Sequence, residues 1–202
     1  MKQGYLVFTG RPNAGKSSTI KKITGIKAEA GKRPGTTSKI TLYPLSKDLI
    51  LVDMPGYGRI SKAGKKRENL VKDQILEFIE ENSDTILVSV HVLDISTFSE
   101  ISKRLDRKGF IPIDIEMIQL LTDTIGTPPL IAINKIDKIN QRELKSSVED
   151  LKNRLFKTNP EAMEYIHIIS AKTGQGTGSL KDAIHNQLTS KGFRTPFKQE
   201  RS

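Results

Sequence analysis

The sequence predicts an α/β protein with a doubly wound, mostly parallel six-stranded sheet and helices on both faces. Short apolar runs that indicate strands alternate with stretches whose apolar residues recur at helical spacing. Strands joined by helices require right-handed crossovers, which place the strands side by side in parallel. With 202 residues, the chain is long enough for one buried core and too short for two. We therefore expect a single domain over residues 1–190 and a basic, flexible tail over 191–202.

Each predicted element follows from a local pattern. The strands are apolar runs bounded by polar or glycine-containing turns, and the helices carry an apolar stripe. The strands cover residues 5–8, 40–45, 48–53, 85–93, 128–133 and 165–169. The helices cover residues 17–24, 70–79, 114–125, 144–155 and 180–188. Only Ser46 and Lys47 separate the second and third strands, so we expect a hairpin there.

Composition limits the class of protein. No apolar run approaches the roughly 18 residues of a membrane-spanning helix, and the first strand begins too early to leave room for a signal peptide. The absence of cysteine excludes disulfides and thiolate metal sites and favours the cytoplasm. The net charge of +10 would attract a polyanion, although solvated surface lysines are an alternative explanation. Its densest clusters are residues 59–67, 103–108 and 191–201.

The first strand leads into a loop that predicts a phosphate-binding site. The loop matches G-x-x-x-x-G-K-[ST] at every fixed position, and the alternative is a chance glycine-rich turn. Successive backbone N–H groups and the following helix would hold the phosphates, with Lys16 at the β- and γ-phosphates and the Ser17 hydroxyl on Mg²⁺. The predicted binding residues are Gly10, Arg11, Pro12, Asn13, Ala14, Gly15, Lys16, Ser17 and Ser18.

A second phosphate-facing segment follows the third strand. Asp53 ends that strand, and a carboxylate there is expected to bind a water of Mg²⁺. The next residues, Met54, Pro55 and Gly56, would place the Gly56 N–H where it senses the γ-phosphate.

Two later segments predict guanine recognition. Asn134, Lys135, Ile136 and Asp137 fit N-K-x-D, in which the carboxylate accepts hydrogen bonds from the guanine N1–H and 2-amino groups. Adenine presents the wrong pattern, which disfavours a P-loop ATPase or nucleotide kinase. Ser170, Ala171 and Lys172 follow the last strand and would offer a backbone N–H to guanine O6. Both segments lie at the carboxyl ends of strands, where ligands bind in this architecture.

Together these motifs resemble the G domain of the translation-factor-related (TRAFAC) GTPases. Residues 10–18, 33–37 and 53–58 are similar to the EngB-type GTPases within that class. The resemblance implies binding of GTP and GDP, Mg²⁺-dependent hydrolysis of GTP to GDP and phosphate, and a switch in large ribosomal-subunit assembly that is associated with cell division and septation. It also implies a monomer without the additional domains of Era, Der and MnmE.

The resemblance implies roles for the mobile segments as well. Residues 27–38 would be switch I and residues 54–67 switch II. Gly35, Thr36 and Thr37 would contact the nucleotide, and Thr37 would be the second Mg²⁺ ligand, although the adjacent Thr36 leaves the register open by one position. A threonine with a purely structural role in a turn is the alternative. Lys16, Thr37 and Gly56 would be the catalytic residues.

Three further residues allow two interpretations each. Tyr57 occupies the position of the water-orienting glutamine of Ras-like proteins, and we favour a packing or ribosome-contact role over a catalytic one. Slow intrinsic hydrolysis, completed by a partner, is then expected. Asn13 would accompany a bound K⁺ or cap the loop. His91 lies within an apolar strand, so a satisfied core histidine is favoured over a catalytic one.

The basic clusters suggest a partner. The first interpretation is docking on ribosomal RNA or the large ribosomal subunit through residues 59–67, 103–108 and 191–201. The second is a nucleotide-dependent switch that binds a protein effector or an acidic membrane surface through the same residues.

Overall fold

The computed structural model describes residues 3–27, 39–58, 65–195 and 197, and of residues 65–69 the backbone alone. The strands are β1 (Gly4–Gly10), β2 (Thr41–Pro44), β3 (Leu49–Asp53), β4 (Ile86–Asp94), β5 (Leu130–Asn134) and β6 (Ile166–Ile168). The helices are α1 (Lys16–Thr24), α2 (Lys65–Glu81), α3 (Ile95–Asp106), α4 (Ile113–Ile125), α5 (Gln141–Thr158) and α6 (Thr177–Ser190).

One six-stranded sheet organises the chain, in the order β2-β3-β1-β4-β5-β6. Only β2 and β3 pair in antiparallel fashion, as the predicted hairpin; the other four pairs are parallel. The register pairs Phe8 with Asp53 and Asp94 with Asn134. The carboxyl ends of the central strands therefore meet at one edge, and the predicted fold class is confirmed.

Helices cover both faces of the sheet. On one face, α1 and α6 contribute Ile20, Ile23, Ile184 and Leu188 to a core over β1, β3 and β4. On the other face, α2 and α4 pack near the middle of the sheet, and α3 and α5 pack with α4 over β4 and β5. Within the described ranges, the structure contains no helix with the length and apolar character that a membrane crossing requires.

Helix α3 was not predicted from the sequence. Asp94 starts it by accepting a hydrogen bond from the Ser96 backbone N–H at 3.1 Å. Ile95, Phe98 and Ser102 form its buried side. Ile95, Phe98, Ile101 and Leu105 recur at helical spacing, so the helical signal was present in the sequence, and the four basic residues that follow Ser102 obscured it.

The chain after α6 packs against the domain. The Phe197 side chain is 8% exposed in the α1/α6 core, and Phe193 packs against the same core. Thr195 Oγ1 lies 2.6 Å from His185 Nδ1, and Lys191 Nζ donates to the Leu87 carbonyl at 2.5 Å. Residues 193 and 197 therefore pack against the domain, because aromatic side chains within the basic segment bury apolar surface. That residues 191–202 form a flexible tail stays a prediction.

A Phe197→Ala variant should lower the free energy of unfolding by about 3 kcal/mol, since it removes a buried aromatic side chain and leaves a cavity. Urea denaturation followed by circular dichroism measures the change. Phe156→Ala is the matched control, because the Phe156 side chain is 67% exposed. Equal urea midpoints for both variants would show that the segment after α6 does not contribute to the core.

Candidate nucleotide-binding site

The loop between β1 and α1 forms the base of the site. Gly15 precedes α1 with a φ of 96°, in the left-handed region, and a Cβ there would lie 2.2 Å from Asn134 Nδ2. Position 15 therefore requires glycine on two grounds. Asn13 also has a positive φ, of 64°, and Ala14 is buried. The N-terminus of α1 follows at Lys16, which gives the loop the backbone geometry of an anion site.

Lys16 and Asp53 form a buried ion pair at the centre of the site. Lys16 Nζ donates to Asp53 Oδ1, and both residues are less than 10% exposed. Burial raises the pKa of Asp53, and the Lys16 ammonium opposes that shift. The predicted phosphate-binding lysine and the predicted metal-site carboxylate are thus brought together by the parallel pairing of β1 and β3.

The oxygen donors here fit Mg²⁺. Ser17 is the second residue of α1, half-buried, and Asp53 ends β3. Mg²⁺ prefers hard oxygen donors and commonly uses one or two protein ligands together with substrate phosphates and water. No group of three His, Cys, Asp or Glu side chains that could hold a metal occurs among the described residues.

The segment after β3 lies against the phosphate loop. The Met54 N–H donates to the Phe8 carbonyl at 3.0 Å, which continues the β1–β3 pairing by one residue. A Cβ at Gly56 would lie 2.9 Å from Pro12 N, so the two loops are in contact at this point. That the Gly56 N–H senses the γ-phosphate stays a prediction.

Tyr57 is anchored at the start of α4. Its hydroxyl donates to the Ile113 carbonyl at the start of α4, at 3.0 Å, and its ring packs in the α2/α4 core. Burial raises the pKa of Tyr57 well above its usual value, with a smaller contribution from the negative charge of Asp114. These contacts support the packing role that the sequence favoured.

The side-chain amide of Asn134 joins three loops. Its Nδ2 donates to the Ala14 carbonyl at 2.9 Å, and its Oδ1 accepts from the Ala171 N–H at 2.9 Å. The residue is 2% exposed, so leaving either backbone group unpaired would carry a desolvation penalty. Since the Ala171 N–H is donated to Asn134, a contact from residues 170–172 to guanine O6 stays a prediction.

Asp137 is held as a charged acceptor. Its Oδ1 accepts from the Ser170 hydroxyl at 2.7 Å, and Lys172 Nζ lies 3.9 Å from Oδ2. The Ser170 hydrogen bond is the main reason that the pKa of Asp137 is lowered. The carboxylate therefore remains ionised near neutral pH, the state in which it can accept two hydrogen bonds from one ligand edge. Ile136 is buried beside it.

Lys135 crosses the site above the phosphate loop. Its Nζ lies 2.5 Å from Asp94 Oδ2 and also donates to the Asn13 carbonyl. Asp94 was not identified from the sequence as a site residue. A carboxylate at the end of a buried strand was the available signal, the same one that identified Asp53.

A buried polar network connects the loop to α4. Thr9 Oγ1 lies 2.9 Å from His91 Nδ1, and His91 Nε2 lies 3.1 Å from Asp114 Oδ1. Arg11 Nη1 lies 3.9 Å from the other Asp114 oxygen. His91 is fully buried with both ring nitrogens paired, so the prediction of a satisfied core histidine is confirmed.

Part of the predicted site lies outside the described residues. Gly35, Thr36 and Thr37, with all of switch I except residue 27, fall in the undescribed range 28–38. Of switch II, residues 54–58 are described and 59–64 are not. The basic cluster 59–67 falls almost wholly in that range or among backbone-only residues.

Known families and proteins are similar to this chain over most of its length. Residues 5–135 match the family described as "50S ribosome-binding GTPase", and residues 107–190 match "Elongation factor Tu GTP binding domain". A "Probable GTP-binding protein EngB" of Methanopyrus kandleri is 39% identical over 192 residues, covering 93% of this chain and 94% of that protein. The protein of the same name from Methanosarcina barkeri is 38% identical over 186 residues, covering 89% and 88%.

Solved structures are also similar to this chain in fold. A crystal structure of a probable GTP-binding protein EngB is 36% identical, covers 93% of this chain and 100% of its own, and superimposes with a TM-score of 0.81. Era in complex with MgGDPNP and nucleotides of 16S ribosomal RNA gives a TM-score of 0.60 at 23% identity, covering 91% of this chain and 56% of its own. The second likeness shows the fold alone.

A Tyr57→Phe variant should leave the intrinsic rate of GTP hydrolysis unchanged, because the hydroxyl points to α4. It should lower the free energy of unfolding by about 1 kcal/mol through loss of the hydrogen bond to Ile113. Single-turnover hydrolysis and urea denaturation measure the two effects. A large fall in rate with unchanged stability would show that the hydroxyl acts in catalysis.

Proposed function

The chain belongs to the EngB family of GTP-binding proteins and is a GTPase, and on this premise we propose that its GTP cycle is a switch in assembly of the large ribosomal subunit. The observation that carries the proposal is the match of residues 5–135 to the family described as "50S ribosome-binding GTPase". The Asn134 bridge supports the nucleotide-binding part, because it joins the phosphate loop to the base-reading segments. A single buried amide thus sets the distance between the triphosphate and the purine. The associated role in cell division and septation follows from the same family relationship.

Each part of the site has a role in binding GTP. Backbone N–H groups of residues 10–17 surround the β- and γ-phosphates, and Lys16 exchanges its contact with Asp53 for contacts with those phosphates. Asp137 accepts from guanine N1–H and the 2-amino group. Ser17, Asp53 and Thr37 would hold Mg²⁺, which when bound would neutralise charge on the β- and γ-phosphates.

Hydrolysis depends on positioning of the attacking water. Tyr57 has no amide and its hydroxyl is engaged by Ile113, so this side chain does not orient the water. Backbone groups of Thr37 and Gly56 would do so instead, and a partner would complete the site. Intrinsic turnover would then be slow. A K⁺ ion near Asn13 stays a prediction.

The switch is the pair of segments 27–38 and 54–67, ordered by the γ-phosphate and released after hydrolysis. Tyr57 ties the second segment to the start of α4. A shift at Gly56 would therefore move the contact with α4 as well, and so carry the nucleotide state to the helices on that face.

A ribosomal partner is consistent with the charge. The net charge of +10 favours RNA, and the basic residues 103–108 lie mostly exposed at the end of α3. The family model's own description names the 50S ribosome as the partner of its members. We propose a cytoplasmic, monomeric protein that docks through this cluster and through residues 59–67 and 191–201.

An Asp137→Asn variant should lose affinity for GTP and gain affinity for XTP, because the amide reverses the hydrogen-bond pattern at the 2-position of the purine. The amide oxygen can still accept from N1–H, but the amide NH₂ faces the 2-amino donor. Loss of one hydrogen bond to a charged group, with a donor left unpaired, costs about 3 kcal/mol, or roughly a hundredfold in Kd. Isothermal titration calorimetry measures both nucleotides. Asp84→Asn, a change at the opposite edge of the sheet, is the control. Wild-type GTP affinity in Asp137→Asn would contradict the assignment.

The protein should co-sediment with large ribosomal subunits in the presence of a non-hydrolysable GTP analogue and less so with GDP. Binding should weaken steeply with salt, because phosphate contacts release counterions. Binding to acidic liposomes or to a protein without RNA, with no binding to subunits, would instead support the effector or membrane alternative. Particle profiles after depletion of the protein test the assembly role.

A further inference from the structure

The turn between α3 and α4 exposes two large apolar side chains within a basic surface. Phe110 and Ile111 are 53% and 54% exposed. Four exposed basic residues precede them, Lys103, Arg104, Arg107 and Lys108. An isolated exposed apolar residue needs no explanation, but an adjacent pair beside clustered cations indicates a binding surface. We call residues 103–111 the α3 turn surface.

The turn is a defined structure. The N–H groups of Lys108 and Phe110 both donate to the Leu105 carbonyl, at 2.8 and 3.1 Å, and the Gly109 N–H donates to the Asp106 carbonyl at 3.0 Å. These bonds fix the backbone that carries Phe110. An aromatic ring held in place loses little conformational freedom on contact with a partner, which favours binding.

The α3 turn surface contains more basic than acidic residues. Its one acidic residue, Asp106, accepts two hydrogen bonds from Arg154 on α5, at 3.0 and 2.7 Å. These bonds lower the pKa of Asp106, and Lys157 adds to the effect from nearby. Arg154 also donates to Asp150 at 3.0 Å, so its charge is shared between two carboxylates. Among the described residues, none of the four basic side chains of α3 and its turn forms an ion pair, and these side chains are exposed to a partner.

A largely apolar groove of about 480 Å³ adjoins the turn, with Ile111, Ile115 and Leu120 in its lining. Its charged lining residues are Glu116 and Asp123 of α4, and no basic residue lines it. The groove therefore offers no contact for phosphate, whereas Phe110 follows the exposed cations of α3 closely in the chain.

We propose that the α3 turn surface binds an unpaired stretch of RNA, with Phe110 stacked on a base and the basic residues of α3 on the phosphates. The inference rests on the proposed ribosomal function and names the kind of RNA that this surface takes. Bases in an RNA duplex are stacked on one another and out of reach of an aromatic ring, whereas unpaired bases stack readily on aromatic side chains. An acidic protein packed on the same ring is the alternative, and a Phe110→Trp reporter that shows no response to RNA would favour it.

The surface is separate from the nucleotide site. Helix α3 begins beside Asp94, the partner of Lys135, and rises about 1.5 Å per residue, so Asp106 lies about 18 Å further along the helix axis. Changes at the α3 turn surface should therefore leave GTP turnover unchanged.

The chain contains no tryptophan, so Phe110→Trp places a single reporter on the surface. Its fluorescence should be quenched by a single-stranded RNA oligonucleotide of mixed sequence and unchanged by heparin, a polyanion without bases. Phe156→Trp is the matched control: position 156 is also exposed but lies about 200° around α5 from Arg154. Equal quenching of both reporters, or equal responses to RNA and heparin, would overturn the proposal.

Affinity measurements separate stacking from charge. Phe110→Ala should weaken RNA binding by about fivefold to a hundredfold. Phe110→Tyr keeps an aromatic ring and should bind RNA as tightly as the wild type does. An Arg104→Ala, Arg107→Ala double variant should reduce the slope of log K against log salt by about 1.4. Unchanged RNA affinity in Phe110→Ala would overturn the stacking contact, as would a Phe110→Trp signal given by phosphatidylserine vesicles and not by RNA.

Failure of this surface assignment can be distinguished from failure of the proposed ribosomal function. If wild-type protein and Phe110→Ala co-sediment equally with large ribosomal subunits, the ribosomal function stands and this surface assignment fails. If Phe110→Trp responds to single-stranded RNA while the wild type does not bind the subunit, the surface assignment stands and the ribosomal function fails.

Discussion

The site depends on one buried amide that holds three loops at a fixed separation. Asn134 donates to the Ala14 carbonyl and accepts from the Ala171 N–H, so the phosphate loop, the end of β5 and the loop after β6 cannot move independently. The parallel order β1-β4-β5-β6 brings these loops to one edge of the sheet. The close approach also dictates Gly15, because a side chain there would displace the amide. We propose that this spacing lets the protein recognise guanine and triphosphate together.

Two further groups of contacts hold the phosphate loop and the segment after β3. Lys135 joins Asp94 to the Asn13 carbonyl and so holds the far side of the phosphate loop. At the start of α4, Asp114 contacts His91 and Arg11, while the adjacent Ile113 carbonyl accepts from Tyr57. One end of one helix thus contacts both the phosphate loop and the segment after β3. We propose that a change at the γ-phosphate reaches that helix through these contacts.

The sequence predicted the parts of this arrangement that depend on local chemistry. Continuous apolar runs identified the strands, and a glycine loop ending at Lys16 identified the phosphate site, because backbone geometry and charge there are set by neighbouring residues. The Thr9, His91 and Asp114 network depends on the register between β1 and β4 and on where α4 begins, and neither is encoded locally. Helix α3 was missed although Ile95, Phe98, Ile101 and Leu105 recur at helical spacing, because the basic residues 103–108 obscured this pattern. The contacts of Phe193 and Phe197 with the α1/α6 core were not predicted, because basic residues flank both side chains in the sequence.

We propose that residues at one rigid edge of the sheet bind the guanine base and the triphosphate of the same nucleotide. Isothermal titration calorimetry of the wild-type protein with GTP and with ATP, both with Mg²⁺, tests this proposal. We expect a measurable Kd for GTP and a Kd for ATP weaker by at least about a hundredfold, since adenine leaves Asp137 without its donors. ATP bound as tightly as GTP, or no binding of either nucleotide, would contradict it.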